Sequence, residues 1–488
     1  MTHHRTHAAR RAGLAGLAAA SALAGLALLA GCRVGPTFTV PKTAVPQTWA
    51  GPTAPGAGTE ATALAQWWTA LNDPTLTSLV EEALRSDLGL RLAASRLRQA
   101  RAAHRLAAAA SGPTLDTSAS VRRSRAAADS RDTRQPPGNA YQAGFDAAWE
   151  LDLFGGVARS REAALADVQS AEESLRDVQV SLVAEVARTY VELRTQQQRL
   201  AIAQVNLKAQ QHTVGLTRTR REGGFVTDLD VASAEAQVAT TAAAIPTLEA
   251  SIRQTVYALS VLLDREPGAL LDRLPETAAI PTPPPPVPAG VPADLLRRRP
   301  DIRTAEADIH AATARIGLAV ADLYPKVTIG AATGVQAANT GTLVEPWSTF
   351  WSLGPSLSWR LFDTGSTRAT IRVRKALEEQ SVLTYRRTVL TALQEVENAL
   401  VASSKEQEHR AALVTVVEAD RKTVDLATRL YGAGESDYLD VLSAQRSLLA
   451  AEEALAESTG AVATHLIALY KALGGGWEPD PQVAQASE

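Results

Sequence analysis

Chemistry needs polar side chains gathered in one place, and in this chain they gather at two glycine turns. "REGGFVTDLDVASAEAQ" carries Asp228 and Asp230; "YGAGESDYLDVLSAQR" carries Asp437 and Asp440, with Tyr438, Leu439 and Arg446 beside them. Acids in the first turn of a helix cap it and meet the positive end of its dipole, so capping is one use for all four. The other use is electrostatic: copies of such a turn brought together would form a narrow acidic ring that favours cations. No reaction centre assembles elsewhere. His104, His212, His310, His409 and His465 stand singly along helical stretches, and no HExxH, paired-cysteine or nucleotide-binding motif occurs. The glycines of "FGG" and "LGGGW" lack the lysine and the strand-to-helix setting of a phosphate loop, and read as turn and tail. The sequence predicts neither an enzyme nor a metal or cofactor site.

The start of the chain gives a location. Arg5, Arg10 and Arg11 precede an apolar run from Ala12 to Ala30, followed by "LAGC". A positive segment before an apolar one is a secretory signal. Cys32 is the only cysteine, so no internal disulfide forms, and "LAGC" resembles the bacterial lipobox, whose cysteine is lipidated. Removing residues 1–31 takes away arginines and no acids, leaving the mature chain more acidic than the −3 of the whole. That balance gives no reason to expect nucleic acid. No second segment is long and apolar enough to span a membrane as a helix. Aromatics make up only 5 % of the 488 residues while alanine is abundant, which favours long, closely packed helices over a thick core.

The elements that position the turns occur twice. Trp149 and Trp359, Gly155 and Gly365, and "TDLDVASA" and "DYLDVLSA" are each 210 residues apart; Pro113 and Pro325 are 212 apart. The chain is a tandem duplication, its halves joined by a proline-rich stretch that can form only an extended connector. The reading divides the chain into a signal (1–31), a tethered extended segment (32–66), repeat one (67–266), the connector (267–299), repeat two (300–474) and a tail (475–488). Each repeat runs helix, two alternating segments, glycine turn, then two helices around the second glycine turn. Between Gly156 and Gly223 there is no proline, and Val186, Leu193, Leu200, Leu207 and Val214 recur every seven residues. Val382, Val389 and Val396, then Val417, Val424 and Tyr431, repeat this in the second half, with Ser403 and Arg410 interrupting the period. Sustained heptads predict coiled-coil packing. About 65 residues at about 1.5 Å each give roughly 100 Å of helix, far more than a bilayer core.

The alternating segments are Thr114–Ser124, Ala143–Leu151, Lys326–Gln336 and Trp351–Leu361. Each is about ten residues, enough to cross an outer membrane as a tilted strand. Tyr141, Trp149, Trp351 and Trp359 would sit where amphipathic rings belong, at the interfaces. A soluble half-buried hairpin alternates in the same way. The lipidation signal and the charges Asp146, Glu150 and Arg360 on the polar face favour the membrane. Four strands cannot close a barrel, so the chain must oligomerise.

Together "CRVGPTFTVPKTAVPQTW", "WELDLFGGVARSREAA", "LRRRPDIRTAEADIHAATARIGLAVADLYPKVTIG", "YGAGESDYLDVLSAQRSLL" and "LYKALGGGW" resemble the TolC-like outer membrane efflux proteins of the lipoprotein branch. The resemblance implies a mainly α fold with a membrane β-barrel. Three chains would form a helical α-barrel and, with four strands each, a shared twelve-stranded barrel in outer membrane lipid. It implies a periplasmic adaptor and an inner-membrane resistance–nodulation–division pump as partners. It also implies a gate at the periplasmic helix tips. Leu439 matches an apolar constriction, Asp440 and Asp230 match acidic positions near it, and Arg446 matches a basic tether. Asp228, Asp437 and Tyr438 flank these, and Ser443 stands where many relatives carry aspartate. Two other readings stay open: a type I secretion channel, and a structural periplasmic coiled-coil lipoprotein.

Overall fold

A computed structural model describes residues 33–52, 64–125, 137–274, 278–281 and 290–477. The signal, Cys32, most of the proline-rich run and residues 478–488 lie outside the described residues. The elements are α1 (Pro74–Ser86), α2 (Leu88–Ala109), β1 (Thr114–Ser124), β2 (Gly138–Leu151), α3 (Gly156–Glu222) and α4 (Asp228–Leu262). A short helix α5 (Pro292–Arg298) leads into the second half: α6 (Pro300–Ala321), β3 (Lys326–Ala337), β4 (Thr349–Ser358), α7 (Ser366–Ala433) and α8 (Tyr438–Ala472). The fold is mainly helical with four antiparallel strands. The chain divides into two units that each draw on both repeats: residues 1–42, 97–171 and 304–385, and residues 43–96, 172–303 and 386–488.

In the first unit the strands form one sheet in the order β1-β2-β3-β4, with β1 and β4 at its edges. Side chains of opposed residues share a face, so the register sorts the whole sheet. Leu115, Val121, Tyr141, Phe145, Trp149, Ile329, Trp351, Leu353 and Leu357 fall on one face. Asp116, Arg122, Asp146, Glu150 and Lys326 fall on the other, among serines and glycines. Arg123, one residue from the end of β1, is the single charged residue on the apolar face. Three strands differ from expectation in their limits, β3 by one residue, since Ala337 still pairs with Tyr141 of β2. β2 begins at Gly138 rather than Ala143, because the turn side of β1 reaches Ser124 and supplies partners that far. β4 runs Thr349–Ser358 rather than Trp351–Leu361, since β3 starts at Lys326 and offers nothing beyond Ser358 to pair with. Trp359 therefore lies past the strand, and its indole Nε1 donates to Leu323 O at 3.1 Å. Trp149 does the same in the first repeat, donating to Ser111 O at 2.9 Å. Asp152 and Asp363 cap the long helices at equivalent points, accepting from Val157 and Ala158 and from Thr367.

The second unit holds the helical core. Val186, Leu193, Leu200, Val214, Val389, Val396, Val417 and Tyr431 are buried, while Leu207 and Val424, and Val382 in the part of α7 that belongs to the first unit, are half-buried. None of these apolar heptad positions faces solvent, whereas Arg410, which with Ser403 interrupts the period between Val396 and Val417, is exposed. α3 has 67 residues and α7 has 68, which a run of that period needs if it is to keep one seam against its neighbours. The "RRPD" block ties three helices at once. Arg299 is buried and donates to Asp301 at 3.0 and 2.6 Å, to Glu395 on α7 at 2.7 Å and to Ala472 O on α8 at 2.9 Å. A forked, charged donor is suited to holding several acceptors at fixed angles.

Candidate functional site

The acidic turns belong to the second unit and close two helical hairpins, α3–α4 and α7–α8. Both turns use the same backbone device. In the first, Phe225 N donates to Arg220 O and Gly224 N to Arg221 O; in the second, Glu435 N donates to Leu430 O and Gly434 N to Tyr431 O. Gly224 and Gly434 take φ of 78° and 85°, the left-handed conformation this helix ending requires.

The following helices start differently. Thr227 and Asp230 form a capping box: Asp230 N donates to Thr227 Oγ1 at 3.4 Å and Thr227 N to Asp230 Oδ2 at 2.9 Å. Asp228 holds Arg221 at 2.7 and 2.9 Å within the same hairpin. The hydrogen bond and charge of Arg221 hold the Asp228 carboxyl below its ordinary pKa. In the second hairpin Asp437 occupies the N-cap without a side-chain cap bond, and Asp440 accepts from Ser436 Oγ at 2.6 Å.

Beneath the turns lies a small core of Val214, Ala234, Tyr431, Tyr438, Val441 and Leu442. Tyr431 and Tyr438 meet edge to face at 5.8 Å, and Tyr431 OH donates to Thr217 Oγ1 at 3.2 Å. Burial, with the neighbouring Tyr431, pushes the Tyr438 hydroxyl up to about 12. Arg446 reaches across hairpins, its Nε donating to Gln237 Oε1 at 2.6 Å. Gln445 does likewise to Thr213 Oγ1 at 3.0 Å.

Above this core the polarity inverts. Leu439 is 67 % exposed, and its counterpart at the 210-residue offset, Leu229, is 73 % exposed. Phe225, in the first turn, is 76 % exposed. The sequence reading singled out Leu439 alone; applying the repeat offset to it finds Leu229. Asp437 and Asp440 are exposed, as is Ser443 one turn along the same face of α8. Among the described residues no three His, Cys, Asp or Glu side chains converge where a metal could sit, and no helix is long and apolar enough to cross a membrane.

Of the four aromatic residues assigned to the membrane interface, Tyr141, Trp149 and Trp351 lie on the apolar face of the sheet. Trp351 is 80 % exposed there. Trp359 stands beyond the ladder, as described above.

A four-stranded sheet with one apolar and one polar face, and two helical hairpins ending in acidic turns, fit the class of outer membrane channel proteins. The profile of the outer membrane efflux protein family matches residues 79–265 and 291–475, stretches separated by the same interval as the internal repeat. The chain belongs to that family, whose members are channel components rather than enzymes. It is similar to nodulation protein T of Rhizobium leguminosarum bv. trifolii, 35 % identical over 454 residues covering 93 % of this chain and 96 % of the relative. It is also similar to the solvent efflux pump outer membrane protein SrpC of Pseudomonas putida, 33 % identical over 92 % of this chain and 96 % of that protein. Among solved structures, the outer-membrane channel OprN superposes with a TM-score of 0.85 at 36 % identity, covering 92 % of this chain and 100 % of that one. The protein is an efflux channel of the outer membrane.

Proposed function

We propose that three copies of the chain form one conduit, the outer membrane part of a tripartite pump, closed at the helix tips until its partners open it. The observation that carries this is the sheet. Its apolar face bears no charge except near one strand end, while Asp116 and Asp146 stand directly opposite each other on the other face. Like charges across a strand pair are destabilising unless water screens them, so that face suits a wet lumen and the first suits lipid. Both edges, β1 and β4, are open. In hydrocarbon an open edge costs several kcal/mol per unpaired group, and four strands fall short of the roughly eight that close the smallest barrels. Joining edges between copies removes the penalty, and three copies give a twelve-stranded barrel.

The tip supplies the gate in this reading. Leu439, with Leu229 and Phe225, would form the apolar constriction. Asp440, Asp230, Asp437 and Asp228 would surround it with negative charge, while Arg446 and Tyr438 would hold the hairpins in place. Cys32 would carry the lipid that tethers the mature N-terminus to the membrane. A periplasmic adaptor would dock the tips to an inner-membrane pump of the resistance–nodulation–division type. That pump would supply the energy and select most substrates. SrpC, named for solvent efflux, points to solvents as one cargo class.

The test is the mass of the detergent-solubilised mature protein with its lipid. Three copies, lost when β4 is cut short, support the conduit. A monomer that stays folded would return the chain to the structural-lipoprotein reading.

A further inference from the structure

The two hairpins share their turns but not the electrostatics of their ends. The last turn of α3 holds Arg220 and Arg221. The last turn of α7 holds no basic residue, because the repeat places Leu430 and Tyr431 at those positions. A helix C-terminus exposes carbonyls and a partial negative charge that a nearby cation stabilises. Arg218 and Arg221 are engaged within the first hairpin, on Glu235 and Asp228. Arg220 instead crosses to the second. Its Nη1 donates to Tyr431 O, and its guanidinium carbon lies 4.6 Å from the centre of the Tyr431 ring. Among the described residues it holds no carboxylate, and its Nε is buried without an acceptor. A cation from one repeat thus caps a helix of the other.

We infer that Arg220 is a positioning residue for the gate. Its guanidinium, set against the ring and the carbonyl of Tyr431 in the last turn of α7, holds the second hairpin packed, and with it Leu439 and Asp440. The inference rests on the reading of this tip as a gate. The first hairpin has its own capping box and its own Arg221–Asp228 pair. The second lacks a side-chain cap at Asp437, and several of its contacts near the turn are made across to the first. Three of these, Tyr431 to Thr217, Gln445 to Thr213 and Arg446 to Gln237, join side chains only. Arg220 is the one that grips the backbone at the turn. Stacking on an aromatic ring and neutralising a helix end together shift an equilibrium roughly tenfold. Since neither acceptor is a carboxylate, the clamp keeps its hold in the acid range where carboxylates titrate.

Open probability in planar bilayers reads the clamp directly, using the full mature chain with Arg220→Gln, Arg220→Lys and Leu439→Ala beside wild type. Arg220→Gln is expected to raise it roughly tenfold and Arg220→Lys about threefold, since lysine keeps the charge but not the planar stack. The ratio of Arg220→Gln to wild type should hold from pH 7 to pH 5, with thermal midpoints unchanged within a few degrees. Arg220→Gln gating like wild type while Leu439→Ala opens the channel would overturn the clamp and leave the gate standing. Wild-type behaviour in both would remove the gate, and the clamp with it. If Arg220→Gln fails to assemble, Arg220→Lys decides, and wild-type gating in it overturns the proposal.

Discussion

In the sheet, one parity of residue carries nearly all the large apolar side chains from Leu115 to Leu357, Phe350 near the start of β4 being the exception on the other face. At the helix tip the arrangement is reversed. Tyr431 and Tyr438, which carry hydroxyls, are buried, while Leu229, Leu439 and Phe225 face outward. Exposed apolar surface is disfavoured by about 25 cal/mol per Å², and in the sheet lipid removes that cost over the whole face. At the tip the only available relief is other copies of the tip or a partner. The sheet therefore spreads its task over four strands and tolerates exchange of one small residue for another. The tip concentrates its task in a few side chains whose loss should be felt individually.

Substitutions can break that contrast. The largest expected effect is at the buried tyrosines. Tyr438→Ala should destabilise the tip by about 3–5 kcal/mol, as removal of a large buried ring does, and hydrogen exchange across residues 214–238 and 427–442 would register it. Placing Arg at Leu353, mid-sheet on the apolar face, should cost about 2–4 kcal/mol per chain. Arg at Ser352, its neighbour on the polar face, should cost well under half of that. The fraction of protein recovered folded in the outer membrane compares them, and equal losses would undo the assignment of faces. At the first hairpin, Thr227→Ala should loosen the start of α4 by about 1 kcal/mol. Asp437→Ala should change the second by only a few tenths, since that residue makes no cap bond.

The smallest effect is in pH. The Tyr438 hydroxyl is pushed from 10.0 to about 12 by burial, so the folded tip binds its proton more tightly than the unfolded chain. Its contribution is complete below about pH 10 and is lost as pH rises through about 12. Burial also raises Tyr190 and Tyr470, so tyrosinate absorbance should show a late-titrating fraction from which Tyr438→Phe removes one group. At the exposed Asp228 the sign is opposite. Its carboxyl is held low by Arg221, so its small contribution is present near neutrality and fades as pH falls below the ordinary carboxylate range.

Much of this architecture was legible because its signals are local. The seven-residue period from Val186 to Val214 predicted a helix that spans Gly156–Glu222. The alternation predicted β1 to the residue. What escaped depends on partners far along the chain. Trp359 continues the alternation of β4, yet the ladder stops at Ser358 because β3 begins where it does. Arg220 gives no sign in its own sequence that it caps a helix 211 residues away. The burial of Tyr438 beside an exposed Leu439 turns on which face of α8 meets α3, and one helical turn with its neighbours leaves that open. Leu229 was within reach, since the repeat offset that revealed the duplication also maps Leu439 onto it.

The central claim is that the conduit is shut at the tip by the apolar pair Leu229 and Leu439. Single-channel conductance of the purified mature protein in planar bilayers tests it most directly, with Leu229→Ala/Leu439→Ala beside wild type. The account predicts small, rare openings in wild type that become frequent and larger in the double variant. A wild-type channel that stands fully open, or a membrane-bound protein that never conducts even with both leucines removed, would contradict it.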